Sequence, residues 1–521
     1  MRGIKKVLNL LLLFLLVGFV SAANWYVDRD APVGGNGQSW GTAWNNFSVI
    51  NWSRVQPGDT IYISGGVTEK VYEAENPVFE VGASGAPGNR IKITRGVDPG
   101  HNGEVKIRGT LKIWTKKHIE VFNLSFIPRI NPGTSIYIVG RYNYSVHDIV
   151  IRNNFINSSG QGMHISGYNP YFYSSYVDNI NISGNTIIID IVNDAQTDGI
   201  YMHYIQNVFI EDNYMNIYNN NSEHNDLIQT AHNANNITIA RNVLIHRSRR
   251  TAHPENRDNG LMMHGLNGII KIHNNVIARP FDDGRLGIVV YLAGGDNNTV
   301  YYNMTGPNTT IYPYNYTPII YFYNNIVVTD VAGNGVTIVA ANRGKSDTVD
   351  NRSEIKNNIF HCFRCSSTVG ISFLIPPQNI DYNMYSMNGS WILNYNGGKT
   401  MSQLRSIGAE LHGVEAKAVF VNPDIFDYRL APGSPGVDQG AVLSEEFRRS
   451  LNGVLRPQGS GWDIGAYEYV SGTTNFHSAD LNNDGCIGLS EISAFVARWL
   501  NGEISLGDVS GAVSLWLNGG C

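Results

Sequence analysis

The sequence predicts an all-β chain coiled into a parallel β-helix, with a small all-α calcium-binding module after it. Three features predict this. A short apolar strand ending in an Asn turn recurs through the middle of the chain, and a second strand recurs in step with it. Residues 480 to 491 carry the donor spacing of a calcium loop.

The N-terminus reads as an export signal. Lys5 and Lys6 precede an apolar run from Leu8 to Val20, and Val20-Ser21-Ala22 offers small residues for cleavage after Ala22 or Ala23. The run is short for a membrane span, so residues 1–22 are expected to be a signal peptide and the body to be secreted or displayed at the cell surface. A formal charge of -5 offers no overall basic balance for nucleic acid and no polybasic membrane patch. Sequons at Asn123, Asn181, Asn236, Asn303 and Asn308 could carry glycans in an exported chain. Cys362 and Cys365 are expected to form a local disulfide, since a zinc site would need more ligands than His361 adds. Cys486 and Cys521 both lie in the terminal module.

The repeat comes next. It begins at Asp148, Asn179, Asn207, Asn236, Ile269, Ile319 and Ser353, and its turn asparagines are Asn154, Asn185, Asn213, Asn242, Asn275, Asn325 and Asn358. Most of these are about 28 to 33 residues apart, a spacing typical of stacked repeats. The longer gap holds a Gly- and sequon-rich stretch, Gly294 to Pro313, expected to be a surface insertion. Alternating residues such as Ile180, Ile182 and Ile188 are expected to point inward. One coil hides only one apolar face, so it needs neighbours on both sides. Asn at the turn tolerates a left-handed backbone and can bond its amide to the next Asn in the stack. Second strands follow Gly162, Gly199, Asp226, Gly260, Gly287 and Gly335. Two or three short strands per turn favour a β-helix over a hairpin-linked sandwich; a propeller is the alternative fold.

With these marks, residues 24 to 469 resemble the pectate-lyase-like secreted proteins. The cap-like N-terminal segments are Trp25-Tyr-Val-Asp, Gly37-Gln-Ser-Trp-Gly-Thr-Ala-Trp and Gln56-Pro-Gly-Asp-Thr-Ile-Tyr-Ile, followed by Ser84-Gly-Ala-Pro-Gly-Asn-Arg. The closing segment starts at Asp427-Tyr-Arg-Leu-Ala-Pro-Gly and continues through Arg456-Pro to Asp463-Ile-Gly-Ala-Tyr-Glu-Tyr. The resemblance implies a right-handed single-stranded parallel β-helix over residues 23–470 and activity on polysaccharides. It leaves the reaction open, because one fold hosts many functions. The Asp-rich calcium signature and placed lysine of the better-defined pectate lyases are missing; Lys271 is the one lysine in the central coils.

After a linker at 471–479, the module at 480–521 opens with Asp480, Asn482 and Asp484 at loop positions 1, 3 and 5. Gly485 falls at the bend, the Cys486 carbonyl at position 7 and Glu491 at position 12, the oxygen set that wraps Ca2+. Ile492, Phe495, Val496, Trp499 and Leu500 form one apolar stripe of a helix. The segment from Ile487 is echoed from Ile504, with a second stripe of Val509, Ala512, Val513, Trp516 and Leu517. This duplication resembles a dockerin, which implies a cohesin-like partner; a stabilising cap is the other reading. The second repeat keeps Asp508 but has Ala497, Trp499 and Asn501 upstream, which puts a second calcium site in doubt.

Polar residues gather beside the second strands of the middle coils. Asp198, His203, His224, Asp226, Arg257 and Asp258 are the candidate catalytic residues, and Tyr201, Gln229, His264, Asp283 and Arg285 the candidate sugar contacts. A lyase needs a base for the proton alpha to a uronate carboxylate and a cation for the charge that develops. His224 or His203 could be the base and Arg257 the cation, or Asp198 and Asp226 could hold calcium. A hydrolase needs two carboxyls, about 5 to 5.5 Å apart if retaining and about 6.5 to 9.5 Å if inverting. Neighbouring coils lie about 4.8 Å apart, so Asp198 with Asp226 resembles the first geometry and Asp198 with Asp258 the second. Asp198, Asp226 and Asn259 could equally form a structural ladder bonding backbone amides. A non-catalytic glycan-binding or envelope protein is therefore the competing function.

Overall fold

The computed structural model describes residues 22–128, 133–141, 144–167, 176–191, 197–219, 225–248, 259–279, 288–292, 317–329, 337–340, 350–362, 370–371, 375–387, 393–394, 397–471, 479–481, 487–500 and 512. Strands within these ranges stack in parallel as three ladders wound into one rod. Each coil contributes a strand before the Asn turn (first sheet), one after it (second sheet) and one beyond the next corner (third sheet). Val177–Ser183, Thr186–Ile191 and the opening of Ile200–Glu211 make one such coil. The predicted second strands are the third sheet, including Met163–Ser166, Asn259–Met263 and Ile288–Leu292.

Alternation along the first sheet builds the interior. Val121, Ile151, Ile182, Ile210, Ile239, Ile272 and Phe322 stack in register and are fully buried, as the period of two predicts. Each such side chain contributes about 1.5–3 kcal/mol relative to exposure, and only because a coil lies on either side of it.

The turn asparagines form a column. Asn185 Oδ1 accepts both the backbone N–H and the Nδ2 of Asn154, each at 3.0 Å, while Asn185 Nδ2 donates to the Ile151 carbonyl at 2.8 Å. The same bonds link Asn185, Asn213, Asn242, Asn275, Asn325 and Asn358 in turn, and Asn383 extends the column. The expectation of a left-handed asparagine needs one correction. The left-handed residue is the one before each ladder asparagine: Asn153 (φ 54), Gly184 (φ 63), Asp212 (φ 57), Arg241 (φ 53) and Asn274 (φ 56). The ladder residue itself is not left-handed, and its backbone N–H points along the stack to the next asparagine. A second left-handed column, with Asp148, Asn179, Asn207 and Asn236 (φ 52 to 57), opens each repeat. This explains why the motif starts as well as ends with Asx residues.

The closing segment does more than end the rod. Helix Met401–Ser406, started by a Thr400–Gln403 capping box, places Met401 and Leu404 over the last coils. Residues 414–470 then return along the outside of the second sheet. Ala418, Phe420, Tyr428, Leu430, Ile464 and Tyr467 pack there on Val276, Ala278, Ile326, Val328, Ile359 and Met384. Lys271 is explained by this return: it faces outward and pairs with Glu446 of the closing segment. In the terminal module, helix Leu489–Leu500 forms as predicted, and Ala479, Ile487, Ile492, Phe495 and Ala512 cluster. The Gly294 to Pro313 stretch lies outside the described residues, as do residues 1–21. No described helix is long and apolar enough to cross a membrane.

Candidate functional site

The corner between the second and third sheets brings the aligned acids together. Asp198 and Asp226 sit at one coil position on neighbouring coils, and Asp226 pairs in register with Asn259. Both carboxylates are buried, Asp198 at 3% exposure and Asp226 at 0%. The Asp226 backbone N–H donates to Asp198 Oδ1 at 3.0 Å, so one carboxylate oxygen already serves the ladder. One residue earlier, the Thr197 N–H and Oγ1 both donate to Asn225 Oδ1, at 2.7 and 3.0 Å. His246 points inward from strand Val243–Ser248, and its Nε2 donates to the Asn225 carbonyl at 3.1 Å. His246 carries no signal in the sequence, since it stands on the strand after the Asn turn, away from the polar second strands.

The outer face of the third sheet continues from this corner. Tyr201 and His203 project outward two residues apart, and Tyr201 pairs with His164 on one side and Gln229 on the other. The rings of His164, Tyr201 and His203 touch edge to face or tilted at 5.2 to 5.6 Å, and His203 reaches His232 at 6.3 Å. Burial holds the His203 imidazole down at about 3, with the positive fields of His164 and His232 adding; burial alone holds His164 down at about 4. Both are neutral at physiological pH. Among the described residues, His203 Nδ1 and Gln229 Oε1 are buried atoms without a hydrogen-bond partner. The two residues stand on adjacent coils of one outer face. His264 follows on the next coil, where its backbone N–H donates to the Thr230 carbonyl at 3.1 Å.

Arg257, Asp258, His224, Asp283 and Arg285 lie outside the described residues. In the terminal module, Asp480 and Glu491 are buried at 2% and 6% exposure, and the Gly488 N–H donates to Glu491 Oε2 at 2.7 Å. Asn482, Asp484 and Cys486 lie outside the described residues. The Asp480 carboxylate also interacts electrostatically with the Arg429 guanidinium of the closing segment.

No protein-family model matches the chain, and no curated protein matches it. Among solved structures it is similar to pectate lyase Pel9A, with 13% identity and a TM-score of 0.51 over 87% of this chain and 97% of that one. It also matches the complex of XylC with xylose (10% identity, TM-score 0.45, 86% and 98% covered) and a rhamnogalacturonan lyase (10% identity, TM-score 0.40, 82% and 97% covered). At 13% identity the likeness to the pectate lyase establishes the fold alone. The chain is a right-handed parallel β-helix of the kind the pectate lyase has.

Proposed function

We propose that this is an exported polysaccharide-active protein that holds a sugar chain along the outer face of the third sheet and cleaves it as a lyase or glycoside hydrolase. The observation that carries the proposal is the pair of unsatisfied buried atoms, His203 Nδ1 and Gln229 Oε1, flanked by half-buried Tyr201 and His164. Hydroxyl-rich ligands satisfy such atoms, and aromatic rings give them a surface to lie on. The pectate lyase with this fold is a polysaccharide-cleaving protein by its name, which agrees with the proposal.

Within it, Asp226 and Asp198 supply carboxyls one coil apart, with His224, Arg257 and Asp258 as their expected partners. His203 enters as a neutral hydrogen-bonding group. A base depressed to about 3 captures a proton weakly at neutral pH, so His224 is the better candidate for proton abstraction. Asp283, Arg285 and His264 would extend the sugar contacts. One observation favours the non-catalytic reading: the Asp198 carboxylate is engaged by the backbone of the next coil, as a structural ladder requires.

A screen of uronate polymers for the ultraviolet absorbance of an unsaturated product tests the lyase. Reducing ends released without that absorbance would indicate hydrolysis. His224→Ala and Asp226→Ala should abolish turnover while the unfolding midpoint of His224→Ala stays put; absence of turnover on every polymer would leave the scaffold reading.

The terminal module is proposed to bind Ca2+ through Asp480, Asn482, Asp484, the Cys486 carbonyl and Glu491, and to offer its helices to a cohesin-like partner. Calcium should protect the full-length chain from proteolysis after residue 470, and Glu491→Ala should remove that protection. Equal cleavage with and without calcium would refute the ligand assignment.

A further inference from the structure

The outward column of the third sheet runs well beyond the candidate site. Lys112, Tyr137, His164, Tyr201, Gln229 and Met262 follow one another in register. Its chemistry changes along the rod. At the N-terminal end, Lys112 and Trp114 share the outer face of strand Glu104–Trp114, and Lys112 Nζ sits 3.5 Å from the centre of the Trp114 ring. The Arg141 guanidinium arrives from the next coil at 5.2 Å from the same ring. Lys116 and Lys117 follow at the bend, after left-handed Thr115 (φ 55). Lys117 pairs in register with His147.

This concentration of cations stands against a chain whose formal charge is -5. Among the described residues Glu80 lies 3.4 Å from Lys112 Nζ and is about half exposed, and Asp148 and Asp178 lie near the His147 end of the cluster. Attraction of each cation to the indole is favourable and holds both side chains beside the ring. A half-buried indole beside a lysine and a guanidinium offers an apolar plate for a sugar ring and charge-assisted donors for its acidic substituent.

We propose that Lys112, Trp114 and Arg141 form a remote anchor for an acidic sugar residue, one bearing a carboxylate or a sulfate ester. The proposal rests on the reading that the third-sheet face holds a polysaccharide. Lys112 is three strand steps from Tyr201, about 14 Å at the usual spacing. The anchor therefore grips the chain away from the candidate acids and sets its direction along the rod.

Titration calorimetry on the full-length protein tests this with three oligosaccharides of equal length: an oligogalacturonate, a sulfated galactan and a neutral xylan fragment. The acidic probes should bind more tightly than the neutral one, with an affinity that falls as salt rises. The double substitution Lys112→Ala with Arg141→Ala should weaken the acidic probes by at least about tenfold, a single good charge contact, and leave the neutral probe unchanged. Trp114→Ala should weaken all three, and Trp114→Phe should restore part of the loss. Tighter binding of the carboxylate or of the sulfate ester identifies the natural substituent, and either supports the anchor. Equal binding of neutral and acidic probes, or unchanged affinity in the double variant, overturns it. If the double variant loses acidic binding while Tyr201→Ala and Gln229→Ala change nothing, the anchor stands and the central groove fails. If a neutral chain is turned over and acidic chains are ignored, the reverse holds. If none of the probes binds, the anchor is overturned.

Discussion

Glu410 stands where the next ladder asparagine would be: its Oε1 accepts Asn383 Nδ2 at 2.8 Å, and its Oε2 accepts the Asn383 backbone N–H at 3.2 Å. The Tyr385 hydroxyl donates to Oε1 at 2.7 Å. A carboxylate at the end of the column can receive bonds with both oxygens and need pass none on, which is what a terminus requires.

That placement carries a pH dependence. Burial pushes the Glu410 carboxyl from its ordinary 4.5 up to about 7, against the opposing pull of the Tyr385 and Asn383 hydrogen bonds. Between these values the folded chain holds a proton that the unfolded chain has released, so stability contributed by Glu410 declines as pH rises from about 4.5 to 7. Replacing it by Gln removes the titration. The melting temperature of Glu410→Gln should therefore change less across this window than that of the parent, and matching slopes in the two proteins would contradict the assignment. Asp463, also raised to about 7, titrates in both proteins and cancels from the difference.

Neighbouring residues 153 and 154 should respond oppositely to glycine. Asn153 is exposed and left-handed (φ 54), so Asn153→Gly relieves a strained conformation and should leave stability within about 1 kcal/mol of the parent. Asn154 is buried, and its loss strands the Leu124 N–H that donates to its Oδ1 and removes the Nδ2 bonds to the Val121 carbonyl and to Asn185 Oδ1. Asn154→Gly should cost roughly 3 kcal/mol or more, at 1–3 kcal/mol for each abandoned group. Denaturant midpoints of the two variants decide it.

The ladder was legible because its geometry forces the same residue type at a fixed interval. The offset of the left-handed residue was not, since Asn-Asn pairs at 153–154, 274–275, 324–325 and 357–358 present the same letter at both positions. The return of the closing segment leaves a signal in the second-sheet strands. Val276-Ile-Ala and Ile326-Val-Val are apolar on both faces, as strands covered on both sides are, whereas the outer positions of Thr186-Ile-Ile-Ile-Asp are Thr186, Ile188 and Asp190; Ile188, expected to point inward, faces outward between the buried Ile187 and Ile189. At the candidate site, stacking of Asp198 on Asp226 followed from alignment of the coils. Their burial did not, because it depends on how the intervening corners close.

Acid should destabilise the protein through its buried histidines. His273 is depressed from its ordinary 6.5 to about 3 and His361 to about 4, both mainly by burial. Asn274 Nδ2 lies 3.0 Å from His273 Nδ1, a contact that suits the neutral ring. Below 6.5 the unfolded chain takes up protons that the folded chain refuses, so stability is full above that pH and falls as pH drops toward about 3. His273→Gln, which cannot titrate, should flatten the decline in unfolding free energy between pH 6.5 and 4. An undiminished decline would place the acid sensitivity elsewhere.

The last prediction concerns Arg456 and Glu468, which fasten the closing segment. The Arg456 guanidinium is fully buried, donating to Glu468 Oε2 at 2.9 Å, to the Gly465 carbonyl at 2.7 Å and to Asn274 Oδ1 at 3.2 Å. The final bond reaches the left-handed corner of a central coil, so one side chain ties the returning segment to the rod. Glu468→Gln leaves the guanidinium buried without its counter-charge, and removal of one member of a buried pair costs about 3–5 kcal/mol. Arg456→Met removes the charge and leaves Glu468 and four other oxygen acceptors (the Asp463, Gly465 and Tyr467 carbonyls and Asn274 Oδ1) facing an apolar side chain, so it should be no milder. Because Val276, Val328 and Ile359 lie beneath this segment, its loosening would expose apolar surface along the second sheet. Both variants should bind a hydrophobic dye and be cut between residues 430 and 470 under conditions where the parent resists. A variant with parental protease resistance and an unfolding midpoint within error of the parent would show that packing alone holds the segment.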